Sequence, residues 1–280
     1  MSCHISNLNS FQEVSNSLMQ HMAYLSTVKQ LAATEAAQQK TIVSYFLPQD
    51  RDVTSVNPVL IEEARNLLAI GGNVGFRTWD ACLRLAYFLS TEGHDLIQGK
   101  NVIELGAGTG LLSILCAGHL DAASVLSTDG VADVVTSIER NIRINQDLFE
   151  GSQKRPPGAR ILNWTDLSEL SEVLKQNGQL PKYDIILGSD ITYNLDYMVP
   201  LVETFDAIDT LFPDIDIIIS GAIRNINTFN AFIKACSDKG FEVSDVPFEC
   251  PSFHQQKGFF HTIALPIRIF KIMRTSPVQE

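Results

Sequence analysis

The run Glu104-Leu105-Gly106-Ala107-Gly108-Thr109-Gly110 constrains this chain more than any other stretch of it. It closes a short apolar segment, Val102-Ile103-Glu104-Leu105, and opens a longer one over residues 110–120. The first has the length of a buried strand and the second that of a helix. Glycines between them permit a tight turn and let the backbone approach a ligand that side chains would exclude. Leu111 follows Gly110, so the spacing is G-x-G-x-G. A dinucleotide fingerprint needs G-x-G-x-x-G, and this register argues against a pyrophosphate turn.

Beyond the loop the pattern alternates. Strands are expected over residues 124–127, 159–162, 183–188 and 215–220, with helices over 131–148, 167–176, 197–211 and 226–238. Two last strands are expected at 241–246 and 260–269. Such alternation means βαβ units, a parallel sheet and helices on both faces. Ligands then belong at the carboxyl ends of the strands. Ahead of the loop, residues 11–46 are rich in Ala, Gln, Leu and Met, lack Pro and Gly, and read as one or two helices. A short helix is expected over 58–68, with Pro58 in its first turn. Another is expected from Thr78, as N-cap, to about Ser90. The expected division is an N-terminal helical extension, 1–70, and an α/β domain, 71–280.

Composition narrows the partners. A chain of 280 residues holds one large α/β domain and a small extension. Its formal net charge of −11 points away from nucleic acid, whose binders present a basic face. A protein or small molecule offering a cationic group is the more natural partner. No apolar run approaches the roughly 18–20 residues of a membrane span, and Met1-Ser2-Cys3-His4 does not open a secretory signal. The five cysteines are odd in number, scattered, and form no CxxC pair. They are expected to be reduced thiols in a cytosolic-type compartment, with no metal bound.

Two residues after the loop carry candidate contacts. Asp129 follows the second strand, where a carboxylate can accept hydrogen bonds from ribose hydroxyls. Read alone it is equally an N-cap for the next helix. Trp164 follows the third strand, where it is either a platform for a bound base or a core tryptophan.

The G-x-G-x-G loop, with Glu104 two residues before its first glycine, resembles motif I of class I methyltransferases. That resemblance implies a Rossmann-like α/β fold with a seven-stranded, mostly parallel sheet. It implies S-adenosyl-L-methionine as cofactor, its amino-acid end carried by the loop. Glu104, Gly106, Ala107 and Gly108 become cofactor residues, Asp129 the ribose partner and Trp164 the adenine neighbour.

The fourth strand ends in Gly188-Ser189-Asp190-Ile191-Thr192-Tyr193-Asn194. Prolines typical of adenine and glutamine amino-methylation are absent, and the stretch reads D-x-x-Y. This pattern resembles family 16 of the protein methyltransferases, which are largely lysine-specific. Gly75-Phe76-Arg77-Thr78-Trp79-Asp80-Ala81 resembles that family's tryptophan motif, which lines the cofactor. Asn163-Trp164 stands where the family often has Asp-Trp, a departure from the usual acid. With Ala222-Ile223-Arg224-Asn225, the stretch 266–272 and a helical extension, the chain looks most like the branch that methylates a lysine of translation elongation factor 2. The resemblance runs from Val74 to the C-terminus.

It implies a cytoplasmic protein-lysine N-methyltransferase with no nucleic acid, membrane or metal partner. Asp190 and Tyr193 become the catalytic pair, and Trp79 and Ser189 join the cofactor residues. Asp190 would attract and orient the incoming ammonium; a carboxylate that favours the charged lysine is a poor base. The helices before Arg51 are expected to add to the substrate-docking face. Phe253, His254, Phe259 and Phe260 are candidates for a substrate rim, with core the more natural place for Phe259 and Phe260. The alternatives are another protein or small-molecule substrate, a nicotinamide-dependent oxidoreductase, and a non-catalytic binding module.

Overall fold

The computed structural model describes residues 18–20, 22–23, 39–48, 57–64 and 74–275. The chain divides into two units, Met1–Gln39 and Lys40–Glu280. In the first, residues 18–20 and 22–23 are helical; the rest of the helical expectation for 11–38 lies outside the described residues.

The second unit opens with a hairpin where helices were expected. β1 (Thr41–Tyr45) and β2 (Val59–Glu63) pair antiparallel, with Val43 opposite Ile61. Both segments carry β-branched residues, and β2 buries alternate positions, Val59, Ile61 and Glu63. That period of two overrides the helical reading of the flanking sequence.

Then follow α1 (Asp80–Ser90), β3 (Asn101–Leu105), α2 (Leu111–Gly118), β4 (Ser124–Asp129), α3 (Ala132–Ile144) and β5 (Gly158–Ile161). They are succeeded by α4 (Leu170–Val173), β6 (Ile185–Ser189), α5 (Met198–Leu211), β7 (Asp216–Ala222), α6 (Ile226–Asp238), β8 (Phe241–Asp245) and β9 (Ile267–Arg274). The sheet has seven strands in the order β5-β4-β3-β6-β7-β9-β8. Neighbours pair in parallel except at β9, which runs antiparallel to both β7 and β8.

Alternate residues of the central strands enter different cores. Val102, Ile185, Leu187 and Ile218 pack with α1 and α2. Ile103, Ile186, Ile217 and Ile219 pack with α5 and α6. Burial on both faces is why these strands read as unbroken apolar runs. The chain enters at β3, moves outward to β5, then returns to β6 on the other side of β3. The carboxyl ends of β3 and β6 therefore border the crevice at which ligands of open α/β sheets bind.

Three expectations are corrected. The helix over 167–176 shrinks to Leu170–Val173. The last strand is Ile267–Arg274, because residues 246–266 form a loop pinned to α1, with Thr262 N–H donating to Asp80 at 2.9 Å. Thr78 is not the cap of α1; Trp79 takes that place, and the Thr78 hydroxyl is turned to Thr109 at 2.9 Å.

The hairpin is fastened by two asparagines one helical turn apart. Asn145 accepts from Leu60 N–H at 2.8 Å and donates to Leu60 C=O at 2.7 Å. Asn141 accepts from Glu62 N–H at 2.9 Å and donates to Thr109 C=O at 2.9 Å. Four residues of helix rise about 6 Å, close to the roughly 6.6 Å between alternate strand residues, so the amides take the place of a missing strand. Asn145→Ala would strip both Leu60 groups of their partner, at a cost of about 2 kcal/mol. Urea unfolding should show that loss; an unchanged midpoint would contradict it.

Candidate active site

Between β3 and α2 the backbone turns through three left-handed glycines: Gly106 at φ +62°, Gly108 at +55° and Gly110 at +79°. Space as well as dihedral excludes a side chain. A Cβ on Gly106 would lie 2.6 Å from Ile191 Cγ2, and one on Gly108 would lie 3.3 Å from Gly75 C=O. Ala107 N–H anchors the loop to Thr128 C=O at 2.9 Å.

Asp129 sits beside this loop at the end of β4. One carboxylate oxygen accepts from Gly108 N–H at 3.2 Å, the other from Val131 N–H at 3.1 Å. Burial pushes its pKa up, and the backbone donors partly offset that. It does not cap α3, whose N-cap is Val131. Gly130 N–H is a third backbone donor, and the roughly four lone-pair sites of a carboxylate leave room for a further one.

Glu104 lies beneath the loop, 1% exposed. One oxygen accepts from Ser113 N–H at 2.9 Å and from the Ser113 hydroxyl. The carboxyl thus serves the first turn of α2, whose N-cap, Gly110, has no side chain to do so. Its second oxygen is buried without a hydrogen-bond partner. Trp164 is half-buried, edge-on to Tyr197, and its indole N–H is likewise buried and unpartnered. Its ring borders Gly106, 3.4 Å from where a Cβ would stand. Asn163 is exposed and spends its side-chain oxygen on Thr165, at 3.1 Å to the N–H and 2.9 Å to the hydroxyl.

Across the crevice, Ser189 ends β6 and is a hydrogen-bond partner of the Cys82 side chain. Asp190 follows in the left-handed region, at φ +52°. Its N–H donates to Ser220 C=O at 2.8 Å, and its Oδ1 accepts from Ala222 N–H at 3.0 Å. These bonds hold a conformation costly for a non-glycine residue. Tyr193 stands 52% exposed. Burial and then the charge of Asp129 push its pKa up.

Trp79 donates its indole N–H to Val74 C=O at 3.0 Å and lies under two guanidinium groups, Arg77 at 5.0 Å and Arg224 at 5.5 Å. Arg224 also pairs with Asp190 at 3.2 Å. The stretch Ala222–Asn225 contributes to the family resemblance, but the sequence assigns Arg224 no role of its own; that comes from its place just after β7, on the same edge of the sheet. Phe253 and His254 are exposed as expected of a rim, and Phe259 is core, but Phe260 is 56% exposed and joins Phe253 on the surface.

Among the described residues, four cysteines are free of disulfides, and no group of three or more His, Cys, Asp or Glu could hold a metal. No helix among them is long and apolar enough to cross a membrane.

Residues 64–238 match the family described as lysine methyltransferase. A protein-lysine N-methyltransferase, EFM3, from Chaetomium thermophilum is 35% identical over 261 residues, covering 93% of this chain and 76% of that protein. Its Saccharomyces cerevisiae namesake is 28% identical over 254 residues, 84% of this chain and 69% of that protein.

The chain belongs to the lysine methyltransferase family.

It is thus an S-adenosyl-L-methionine-dependent protein-lysine N-methyltransferase acting on a protein substrate. Family members with shorter matches include the mouse EEF1A lysine methyltransferase 3, 36% identical over 43% of this chain, and the Arabidopsis thaliana calmodulin-lysine N-methyltransferase, 34% over 45%. The glycine cradle, the carboxylate of Asp129 and the unpartnered buried groups of Trp164 and Glu104 fit the lysine methyltransferase cofactor.

Glu104 carries a pH signature. Burial pushes its pKa from 4.5 up to about 8. The folded state therefore keeps a proton that the unfolded chain releases, and this contribution to stability is lost as pH rises from 4.5 through 8. Glu104→Gln has no proton to lose, so its stability relative to wild type should rise across that window. Parallel curves of unfolding free energy against pH would contradict this.

Proposed function

We propose that this enzyme methylates a lysine of translation elongation factor 2 in the cytoplasm, at the edge formed by the ends of β3, β4 and β6. One observation carries the site: the glycine cradle, Asp129 and the Asp190-to-Tyr193 turn converge on the crevice between β3 and β6. Support for the substrate comes from the residue pattern of Gly75–Ala81, Asp190-x-x-Tyr193 and Ala222–Asn225. The relative named EEF1A lysine methyltransferase 3 supports an elongation factor as the substrate.

In this reading Gly106, Ala107 and Gly108 hold the amino-acid end of the cofactor. Glu104 braces the turn from below, Asp129 takes the ribose hydroxyls, and Trp164, Trp79 and Ser189 line the remainder. The cofactor supplies an electrophilic methyl group on a sulfonium sulfur. The lysine nitrogen must attack as a neutral amine. A free lysine has a pKa near 10.4, so its deprotonation at pH 7 costs about 4–5 kcal/mol. Partial burial at the crevice lowers that cost. Asp190 draws the ammonium in and orients it, and Tyr193 presents an aromatic wall to it. The released proton leaves to solvent. The segment ahead of Lys40 takes part in recognising the folded substrate.

The test is radiolabelled methyl transfer into lysate from cells lacking the enzyme, with mass spectrometry of labelled bands. Wild type should label elongation factor 2 on lysine. Asp190→Ala should abolish labelling while its cofactor Kd stays within about twofold of wild type. Labelling by Asp190→Ala at the wild-type rate would overturn the site assignment; a labelled band that is not elongation factor 2 would overturn the substrate. Deleting residues 1–39 should raise KM for the protein substrate and leave cofactor binding intact, and unchanged substrate kinetics would count against a docking role for that segment.

A further inference from the structure

Arg224 reaches back from the turn after β7 to the end of β6. Its Nη1 and Nη2 lie 3.4 and 3.2 Å from Oδ1 and Oδ2 of Asp190. The same guanidinium lies 5.5 Å from the centre of the Trp79 ring. Asp190 is nearly enclosed, with its side chain 9% exposed, whereas Arg224 stands 40% exposed at the mouth. A cavity lined in part by Thr192, Tyr193, Ala222, Arg224 and Phe229 adjoins the pair. A cation of the chain itself thus occupies the carboxylate that would receive the ammonium of a target lysine.

This matters for the chemistry. A lone carboxylate beside a lysine stabilises the protonated amine, which cannot attack. A fixed guanidinium on the same carboxylate cancels that effect. We propose that Arg224 is a positioning residue that shares Asp190 with the target lysine, its charge keeping the lysine amine close to the neutral, reactive form. The inference rests on the reading that Asp190 faces the lysine.

The other ionisable and charged groups near the pair are few. Tyr193 follows Asp190 on the same turn, with Asp129 acting on it from β4. Cys82 on α1 feels the charge of Asp190. Arg77 shares the Trp79 ring with Arg224. Arg268 on β9, in register with Gly221, is paired with Asp245. Arg224 is therefore the cation in direct contact with Asp190 among the described residues.

The experiment compares wild type, Arg224→Gln, Arg224→Lys and Asp190→Asn on purified elongation factor 2 from cells lacking the enzyme. It reads kcat and KM from pH 6 to 10, with cofactor Kd by calorimetry and Tm as controls on folding. In Arg224→Gln the lysine should bind Asp190 more tightly and keep its proton. KM for the protein should fall, kcat at pH 7.5 should fall about tenfold, and the rising limb of kcat should move about one pH unit alkaline. Cofactor Kd should hold within about twofold. Arg224→Lys, which keeps the charge without the bidentate fit, should restore the pH profile even where the maximal rate is lower.

An Arg224→Gln profile that overlays wild type, beside an inactive Asp190→Asn, would overturn this inference alone. So would loss of cofactor binding in Arg224→Gln, which would put Arg224 in the cofactor site. Should Arg224→Gln fail to fold, an alkaline-shifted limb in Arg224→Lys would overturn the inference equally. Full activity in Asp190→Asn, or no labelling by wild type at any pH, would overturn the underlying reading and the inference with it.

Discussion

The structure depends on one turn. At the end of β3 the chain must pass from a buried strand to a buried helix within a few residues, while its backbone skirts the floor of a crevice. Three left-handed glycines make that geometry attainable, and Ile191 and Gly75 crowd the turn so that a side chain at Gly106 or Gly108 would displace its neighbours. Everything nearby serves to hold the turn. Glu104 braces it from beneath through Ser113, Asp129 takes Gly108 N–H, and Asn141 holds Thr109 C=O. Asn141 also grips the β1–β2 hairpin, so the glycine turn and the start of the unit share a hydrogen-bond network. Buried hydrogen-bond networks tend to fix one arrangement.

The opposite wall of the crevice is built on charge. Asp190 is bent into an unfavourable conformation and secured there by β7 through Ser220 and Ala222. The carboxylate therefore faces Arg224, whose guanidinium lies over the ring of Trp79. In the mechanism proposed for this acidic protein, a local cation balanced against the carboxylate would let the site bind a lysine without trapping it as an ammonium. The two walls divide the labour, one offering backbone donors and the other tuned charge.

Much of this was legible in the sequence because its signals are local. The β3–α2 turn shows in its glycine spacing, and the parallel strands show as apolar runs buried on two faces, as at Ile185–Leu187 and Ile217–Ile219. What escaped depends on contacts between distant residues. β1 and β2 sit in sequence that resembles helix, and they become strands because Asn141 and Asn145, some 80 positions away, satisfy the outer edge of β2. Phe260 looks like core and lies on the surface because the 246–266 loop is pinned to α1 by Asp80 and Thr262, with Phe259 taking the inward place. Thr78 has the composition of a cap, yet its hydroxyl is drawn to Thr109 across the crevice floor. Arg224 stands in a recognisable stretch, Ala222–Asn225, but its pairing with Asp190 exists only once the sheet brings β6 and β7 together.

The central claim is that cofactor and substrate amine meet at the edge shared by β3, β4 and β6. Amide hydrogen exchange, with and without S-adenosyl-L-homocysteine, tests it most directly. The account predicts new protection at Gly106–Gly110, at Asp129–Val131 and around Trp164 and Ser189, with little change along β8 and β9. Protection that spares the glycine turn and falls elsewhere in the sheet would contradict it.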